Sequence, residues 1–207
     1  MIFVTEVVRP YRGVSADERR QLRRHQLLEA CLDAVGEAGV ANTTVDLVCK
    51  RAGLSKRYFY ESFADREAAL VAALEEVLDT TRSALEAVPP AASEEEQMRR
   101  LVDATVTSLA VDARVSRLWI EANHHPELEQ RRNDGYSEFA DILLALLLPD
   151  LREDTVARAT FLLVVAGTTE VLRRWLADPE SMTKADLVDL LTRVGLGARG
   201  AARRGRG

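Results

Sequence analysis

Between Thr43 and Phe63 the apolar positions trace two short helical faces with a break between them. Val45, Val48, Cys49 and Ala52 recur at i, i+3, i+4 and i+7, one face of a first helix. Thr43 stands at the expected N-cap, and Asp46 puts an acid where the helix dipole is positive. Gly53 then ends the helix, since glycine turns a chain sharply without a Cβ clash. Leu54 follows as an apolar plug. Ser55 suits the N-cap of a second helix, with Phe59 and Phe63 on its inner face at i, i+4. Two short helices joined through a glycine turn form a helix-turn-helix.

The same period runs along the rest of the chain. Ser15 to Glu18 has the capping-box pattern and opens helix 1, whose stripe is Leu27, Ala30, Cys31, Ala34, Val35 and Ala38, ended by Gly39. Asp65 caps helix 4, striped by Leu70, Leu74, Val77, Leu78 and Leu85, to about Val88, before Pro89-Pro90 stops it. Ser93 to Glu96 opens helix 5, which runs to about Val111. Asp112 caps helix 6, with Val115, Leu118, Trp119 and Ala122 inward. Pro126 takes the tolerated first position of helix 7, which Gly135 can bend or break and Pro149 ends. Asp150 is the expected cap of helix 8, running to about Ala177. Its centre, Phe161 to Gly167, is apolar all round and calls for cover on more than one side, its own body and a partner subunit. Thr183 caps helix 9, with Leu187, Leu190, Leu191 and Val194 as its stripe; Gly195 and Gly197 are read as its end. No alternating strand pattern persists, so the fold class is all-α, with about nine helices.

Charge divides this helical chain. The formal net charge is −5. Residues 1–66 carry a net +2, residues 67–196 a net −11 and the tail 197–207 a net +4. The expected organisation is a flexible arm (1–14), a helix-turn-helix domain (15–66), a helical ligand-binding and dimerisation domain (67–196) and a disordered basic tail (197–207). An acidic body repels nucleic acid as a whole, so any DNA contact belongs to the N-terminal end. Arg9 and Arg12 can form an arm near DNA or belong to a solubilising leader. Apolar residues make up 47% of the chain, ample for a core. The start lacks a basic n-region, and uninterrupted apolar runs fall short of a membrane span, so no membrane partner and a cytoplasmic location are expected.

The outer face of the second short helix carries the chemistry. Lys56, Arg57 and Tyr58 lie in its first turn, where a helix-turn-helix meets base edges in the major groove. Arginine and lysine match guanine O6 and N7, and hydroxyls match phosphates. Lys56, Arg57 and Tyr58 are therefore the expected base contacts, and Thr44, Ser55 and Tyr60 expected phosphate contacts. The bland alternative is a solvated basic turn; the position of the pair at the tip of a correctly spaced turn beside two tyrosines weighs against it. Arg19, Arg20, Arg23 and Arg24 in helix 1 either steer phosphate or balance Asp17 and Glu18. Cys31 and Cys49 read as buried small residues. Glu121, His124 and His125 read as exposed or pocket-rim groups rather than a metal site. No cofactor is expected: there is no phosphate-cradling glycine loop and no nucleophile motif, so an enzyme is the rival class.

The segment resembles the DNA-binding domain of tetracycline-repressor-like (TetR family) regulators. The matching residues are Gly39, Thr43-Thr44-Val45, Ala52-Gly53-Leu54-Ser55, Phe59-Tyr60, Phe63 and Arg66-Glu67-Ala68. Arg57, Cys49 and Ser62 depart from residues common in that family. Arg66 stands where the family usually has a lysine near the DNA backbone, so the resemblance implies that Arg66 is a further phosphate contact. Leu118 to Leu128 and Glu170 to Leu176 match only loosely. The resemblance implies a double-stranded DNA partner, a homodimer paired through helices 8 and 9, and a small-molecule cavity within helices 4 to 8. Candidate lining residues are Trp119, Tyr136, Phe139, Phe161 and Trp175, each more readily read as plain core. Candidate interface residues are Phe161, Val164, Gly167, Thr168, Leu187 and Leu191. The expected function is a sequence-specific repressor on a palindromic operator, released by a small apolar or amphipathic effector. Alternatives are an activator, or a regulator whose body answers a protein partner or no ligand.

Overall fold

In a computed structural model that describes residues 15–204, α1 (Ala16–Ala38) begins at a reciprocal capping box. The Glu18 main-chain N–H donates to Ser15 Oγ at 3.0 Å, and the Ser15 N–H donates to Glu18 Oε2 at 2.6 Å. α1 ends at Gly39, whose φ of 84° no β-branched residue would adopt and whose N–H returns to the Val35 carbonyl at 2.9 Å. The arm expected at residues 1–14 lies outside the described residues.

α2 (Val45–Ala52) is capped by Thr44, not by Thr43 as expected. Thr44 Oγ1 accepts from the Leu47 N–H at 3.2 Å, whereas Thr43 is buried and donates its hydroxyl to the Gly39 carbonyl at 2.9 Å. The inward hydroxyl satisfies a carbonyl of the preceding turn and leaves its neighbour to cap. Gly53, left-handed at φ 63°, turns the chain into α3 (Lys56–Ser62). α4 (Arg66–Glu86) follows an Asp65 cap.

The body comprises α5 (Glu94–Ala110), α6 (Ala113–Glu121), α7 (Pro126–Leu147), α8 (Thr155–Ala177) and α9 (Lys184–Arg204). α7 passes through Gly135 without a break; the glycine is buried against Leu78 of α4. α8 starts four residues later than the sequence suggests, because Pro149–Leu151 forms a single 3₁₀ turn and Asp154 is the cap. α9 overrides the two glycines read as its stop and continues to Arg204, through most of the segment expected to be disordered. Gly195 lies where a Cβ would come within 2.5 Å of Met98 Sδ, so the glycine allows α9 to lie close on α5. Glu94 at the start of α5 pairs with Arg199 and Arg203, which holds the last turns of α9 down.

Two clusters of buried side chains hold these helices together. One is continuous from Leu27, Cys31, Val35, Phe59 and Phe63 through Leu70 and Leu74 to Leu118 and Trp119, so the first three helices and the body share a core. The other joins Leu85, Met98, Leu101, Leu144, Phe161 and Val165 at the far end. Phe59 is fully buried, and burial of such a side chain contributes about 1.5–3 kcal/mol.

Candidate nucleic-acid interface and body cavity

Helix α3 is seated from behind. Phe59 and Phe63 pack inward with ring centroids 5.5 Å apart. Arg24 of α1 lies 4.4 Å over the Phe63 ring and donates to the Ser62 carbonyl at 3.1 Å. Arg23 lies 4.6 Å from the Tyr58 ring centroid. Gln26 donates to the Ala52 carbonyl at 2.7 Å. The basic opening of α1 thus braces the helix-turn-helix, a role not evident from the sequence. Arg20 pairs with Asp17 at 3.2 Å.

With its inner face fixed, α3 turns Lys56, Arg57, Tyr58 and Tyr60 to solvent, and Thr44 and Ser55 are exposed beside them. Arg57 is the most open, its side chain 84% exposed and, among the described residues, tethered only by Glu61 at 3.0 Å. Lys56 pairs with Asp46 of α2 at 2.6 Å, which raises its pKa above the ordinary lysine value through that hydrogen bond. Ser55 makes no side-chain cap bond, so its hydroxyl is uncommitted in the helix start. Arg66 differs from expectation. Its guanidinium turns inward, donating to the Thr43 and Val40 carbonyls at 2.5 Å and pairing with Glu67. It pins the α1–α2 turn instead of standing free for a phosphate. Cys31 and Cys49 are both buried; burial pushes the Cys31 thiol up to about 12.

α6 couples this head to the body. Arg114 donates to Asp33 of α1 at 2.5 Å and pairs with Asp112 of its own cap at 2.7 Å. Arg117 donates to the Gly36 carbonyl at 3.0 Å. Glu121 is taken up by Arg117 at 2.8 Å and by the Val40 N–H, so it ties α6 to the turn after α1. Trp119, on the same helix, faces the opposite way into the body.

There it lines a largely enclosed cavity of about 90 Å³, built between α4, α5, α7, α8 and α9. The structure brings Trp119, Tyr136, Phe139 and Phe161 together on its wall with aliphatic residues such as Leu101 and Leu143. Trp175 does not join them. Its indole N–H donates to the Met182 carbonyl at 2.7 Å, and it borders a separate shallow hollow beside α6. Sequence reasoning missed Arg132, which is 6% exposed and lines the cavity. Its signal is the i, i+4 row Leu128, Arg132, Tyr136, Ala140, an arginine inside an otherwise inward stripe. The Arg132 guanidinium carbon lies 5.8 Å from the Tyr136 ring centroid. Burial raises the Tyr136 pKa, with Arg132 acting against it.

The outer side of α8 is uncovered. Val156, Ala159, Leu163, Gly167 and Val171 form an exposed row, with Leu163 75% exposed. α8 is long and apolar enough to cross a membrane by length and composition alone, although charged residues interrupt its apolar run. Its most apolar stretch averages a hydropathy of 1.4 and is only 22% buried. Of the residues expected at a subunit interface, only Gly167 lies in this row. Phe161, Leu187 and Leu191 are buried in the chain's own core, and Val164 and Thr168 line the cavity. The helical period turns Phe161, Val165 and Leu172 inward, and so puts the row through Leu163 outside.

Residues 27–74, which include the helix-turn-helix, match the family profile described as bacterial regulatory proteins, tetR family. Over these residues the chain is similar to that family. Among relatives, it is 31% identical over 121 residues to the HTH-type transcriptional regulator BetI of Stenotrophomonas maltophilia. That match covers 55% of this chain and 62% of the relative, so the chain spans less than two thirds of the curated relative's length. The fold as a whole resembles a putative TetR-family transcriptional regulator from Rhodococcus sp. (TM-score 0.66, 21% identity, 86% of this chain and 99% of the other). It also resembles the transcriptional regulator FadR from Bacillus subtilis, solved in complex with stearoyl-CoA (TM-score 0.63, 20% identity, 82% and 94%).

Proposed function

We propose that this protein is a DNA-binding transcriptional repressor that holds a palindromic operator as a homodimer and is released by a small molecule in the body cavity. The observation that carries the reading is the α3 tip. Lys56, Arg57 and Tyr58 stand exposed on a short helix whose opposite face is locked by Phe59 and Phe63, within the segment that matches the tetR family. A rigidly seated helix with a cationic first turn is what reading base edges in the major groove requires. Tyr60, Thr44 and Ser55 would take phosphates around it. Arg66, already bonded inward, would hold the turn.

The dimer follows from α8. An exposed row of Val156, Leu163 and Val171 needs cover, and a second copy of the same row is a self-complementary cover. The net charge of −11 over residues 67–196 keeps the body off the DNA, leaving the two heads to bind. In this reading the unit 15–66 reads DNA, the helices from α4 onward hold effector and partner, and the protein works in the cytoplasm.

Selection of bound sequences from random duplex DNA tests the reading. The expected outcome is an inverted repeat whose half-sites are spaced by a helical turn or a multiple of it, about 34–36 Å. Absence of enrichment, or enrichment of one asymmetric half-site, would overturn it.

A further inference from the structure

Two side chains on the cavity wall carry a buried nitrogen donor that no acceptor meets. Trp119 Nε1 and Arg132 Nε are both buried without a partner, and both side chains line the cavity. Among the described residues, no carboxylate pairs with Arg132, although its neighbour Arg131 pairs with Glu75 and Glu138. Its one aromatic neighbour, Tyr136, lies at 5.8 Å. A guanidinium 94% shielded from water and without a counter-ion is among the costliest groups a fold can bury, since burial charges are normally paired. The remaining wall is aliphatic and aromatic: Leu78, Leu85, Leu101, Leu143, Phe161 and Val165. Tyr136 and threonine hydroxyls such as Thr168 share the wall, which offers the cation no counter-charge and gives good contact to a hydrocarbon.

We propose that the cavity binds an amphipathic anion, a carboxylate on an unbranched aliphatic body, with the carboxylate on Arg132 and the hydrocarbon along the leucine wall. This rests on the effector reading above and names its ligand class. The planar guanidinium suits a carboxylate, and the Trp119 indole is a second unpartnered donor on the cavity wall. At about 90 Å³ the space is far below that of a drug-sized pocket, so a slender chain fits better than a fused ring system.

The test compares sodium octanoate, 1-octanol and octylamine on the full chain by calorimetry. Fluorescence of Trp119 in a Trp175→Phe background reports entry into the cavity. The expected result is octanoate binding at least about tenfold tighter than octanol, with octylamine weakest, because only the carboxylate makes charge-assisted hydrogen bonds. Arg132→Met should erase the preference for octanoate while octanol still binds; Arg132→Lys should keep part of it. The wild-type ranking stands as a test even if Arg132→Met does not fold. Equal affinity for octanoate and octanol, or a preference that survives Arg132→Met, overturns the inference. If octanol enters, moves Trp119 and releases DNA without any carboxylate preference, the effector reading stands and this inference falls. If none of the three moves Trp119 or releases heat, the inference falls with the cavity's part in that reading.

Discussion

The main-chain N–H of Val40 donates to Glu121 Oε2 at 2.6 Å, tying the turn between α1 and α2 to the last residue of α6. Arg117 and the Gly36 carbonyl reinforce the tie. α6 thus holds the head at one side and presents Trp119 to the cavity on the other. Glu121→Ala removes a charge-assisted bond at a side chain 28% exposed. The expected cost is about 1–2 kcal/mol in urea denaturation, the charged hydrogen bond discounted for exposure. Glu121→Gln keeps an oxygen for Val40 and should cost less. A variant as stable as the parent would show that the tie carries no free energy.

Arg57 and Tyr60 should separate base reading from phosphate contact. Among the described residues Arg57 is held only by Glu61, so its truncation leaves the fold intact. Arg57→Ala is expected to cost about 1–3 kcal/mol in DNA affinity and to relax preference at particular bases. Tyr60→Phe removes only a hydroxyl and should weaken all sequences alike. Binding titrations on the selected duplex and single-base variants measure both. Uniform loss from Arg57→Ala across all variants would mean that the tip does not read bases.

These tests rest on a helix-turn-helix whose pattern is local and therefore legible in the sequence. The Phe59–Phe63 spacing, the Gly53 turn and the Ser15 capping box each depend on residues within five of one another. Errors came where two local answers compete or a distant residue decides. Thr43 and Thr44 are both competent caps, and the inward hydrogen bond to Gly39 selects between them. Trp175 was aromatic and inward, but a main-chain carbonyl at Met182 draws its indole away from the cavity. Helix α8 was visibly apolar all round, which is why its pattern alone did not give the phase that turns Phe161 in and Leu163 out. Arg66 matched its family position, yet the carbonyls that take its guanidinium lie more than twenty residues away.

Gly195 shows the same long-range control and can be tested. Glycine in a helix costs about 0.8–1.0 kcal/mol relative to alanine, so Gly195→Ala would stabilise an isolated α9. Here the new Cβ would meet Met98 Sδ at 2.5 Å and Cγ at 3.2 Å in a buried setting. Overpacking of this kind costs about 1–3 kcal/mol. The expected net effect is destabilisation of about 1 kcal/mol, read as a lowered Tm. In a Met98→Ala background the clash is gone, and the same substitution should be neutral or stabilising. Stabilisation in the parent background would mean that α9 and α5 adjust without cost.

Leu163 decides whether the uncovered face of α8 is an interface. It is 75% exposed in the single chain, so Leu163→Glu removes little from the chain's own core. Substitutions at exposed positions usually change stability by less than about 0.5 kcal/mol. The helical content and Tm of a monomer should therefore be unaffected. In a two-fold dimer the same change buries two carboxylates near one axis, in a row that also holds Val156, Gly167 and Val171. Desolvation of those charges, with like charges opposed, is far more than an apolar contact of this size can offset. The expected outcome is a parent protein that sediments as a dimer and a Leu163→Glu variant that sediments as a folded monomer. DNA affinity should then fall steeply, because one head alone spans a single half-site. Phe161→Ala is the control: it should lower stability by about 3–5 kcal/mol through the buried core without acting directly on the subunit contact. A parent that sediments as a monomer, or a Leu163→Glu protein that stays dimeric, would remove α8 from the assembly and with it the two-headed operator.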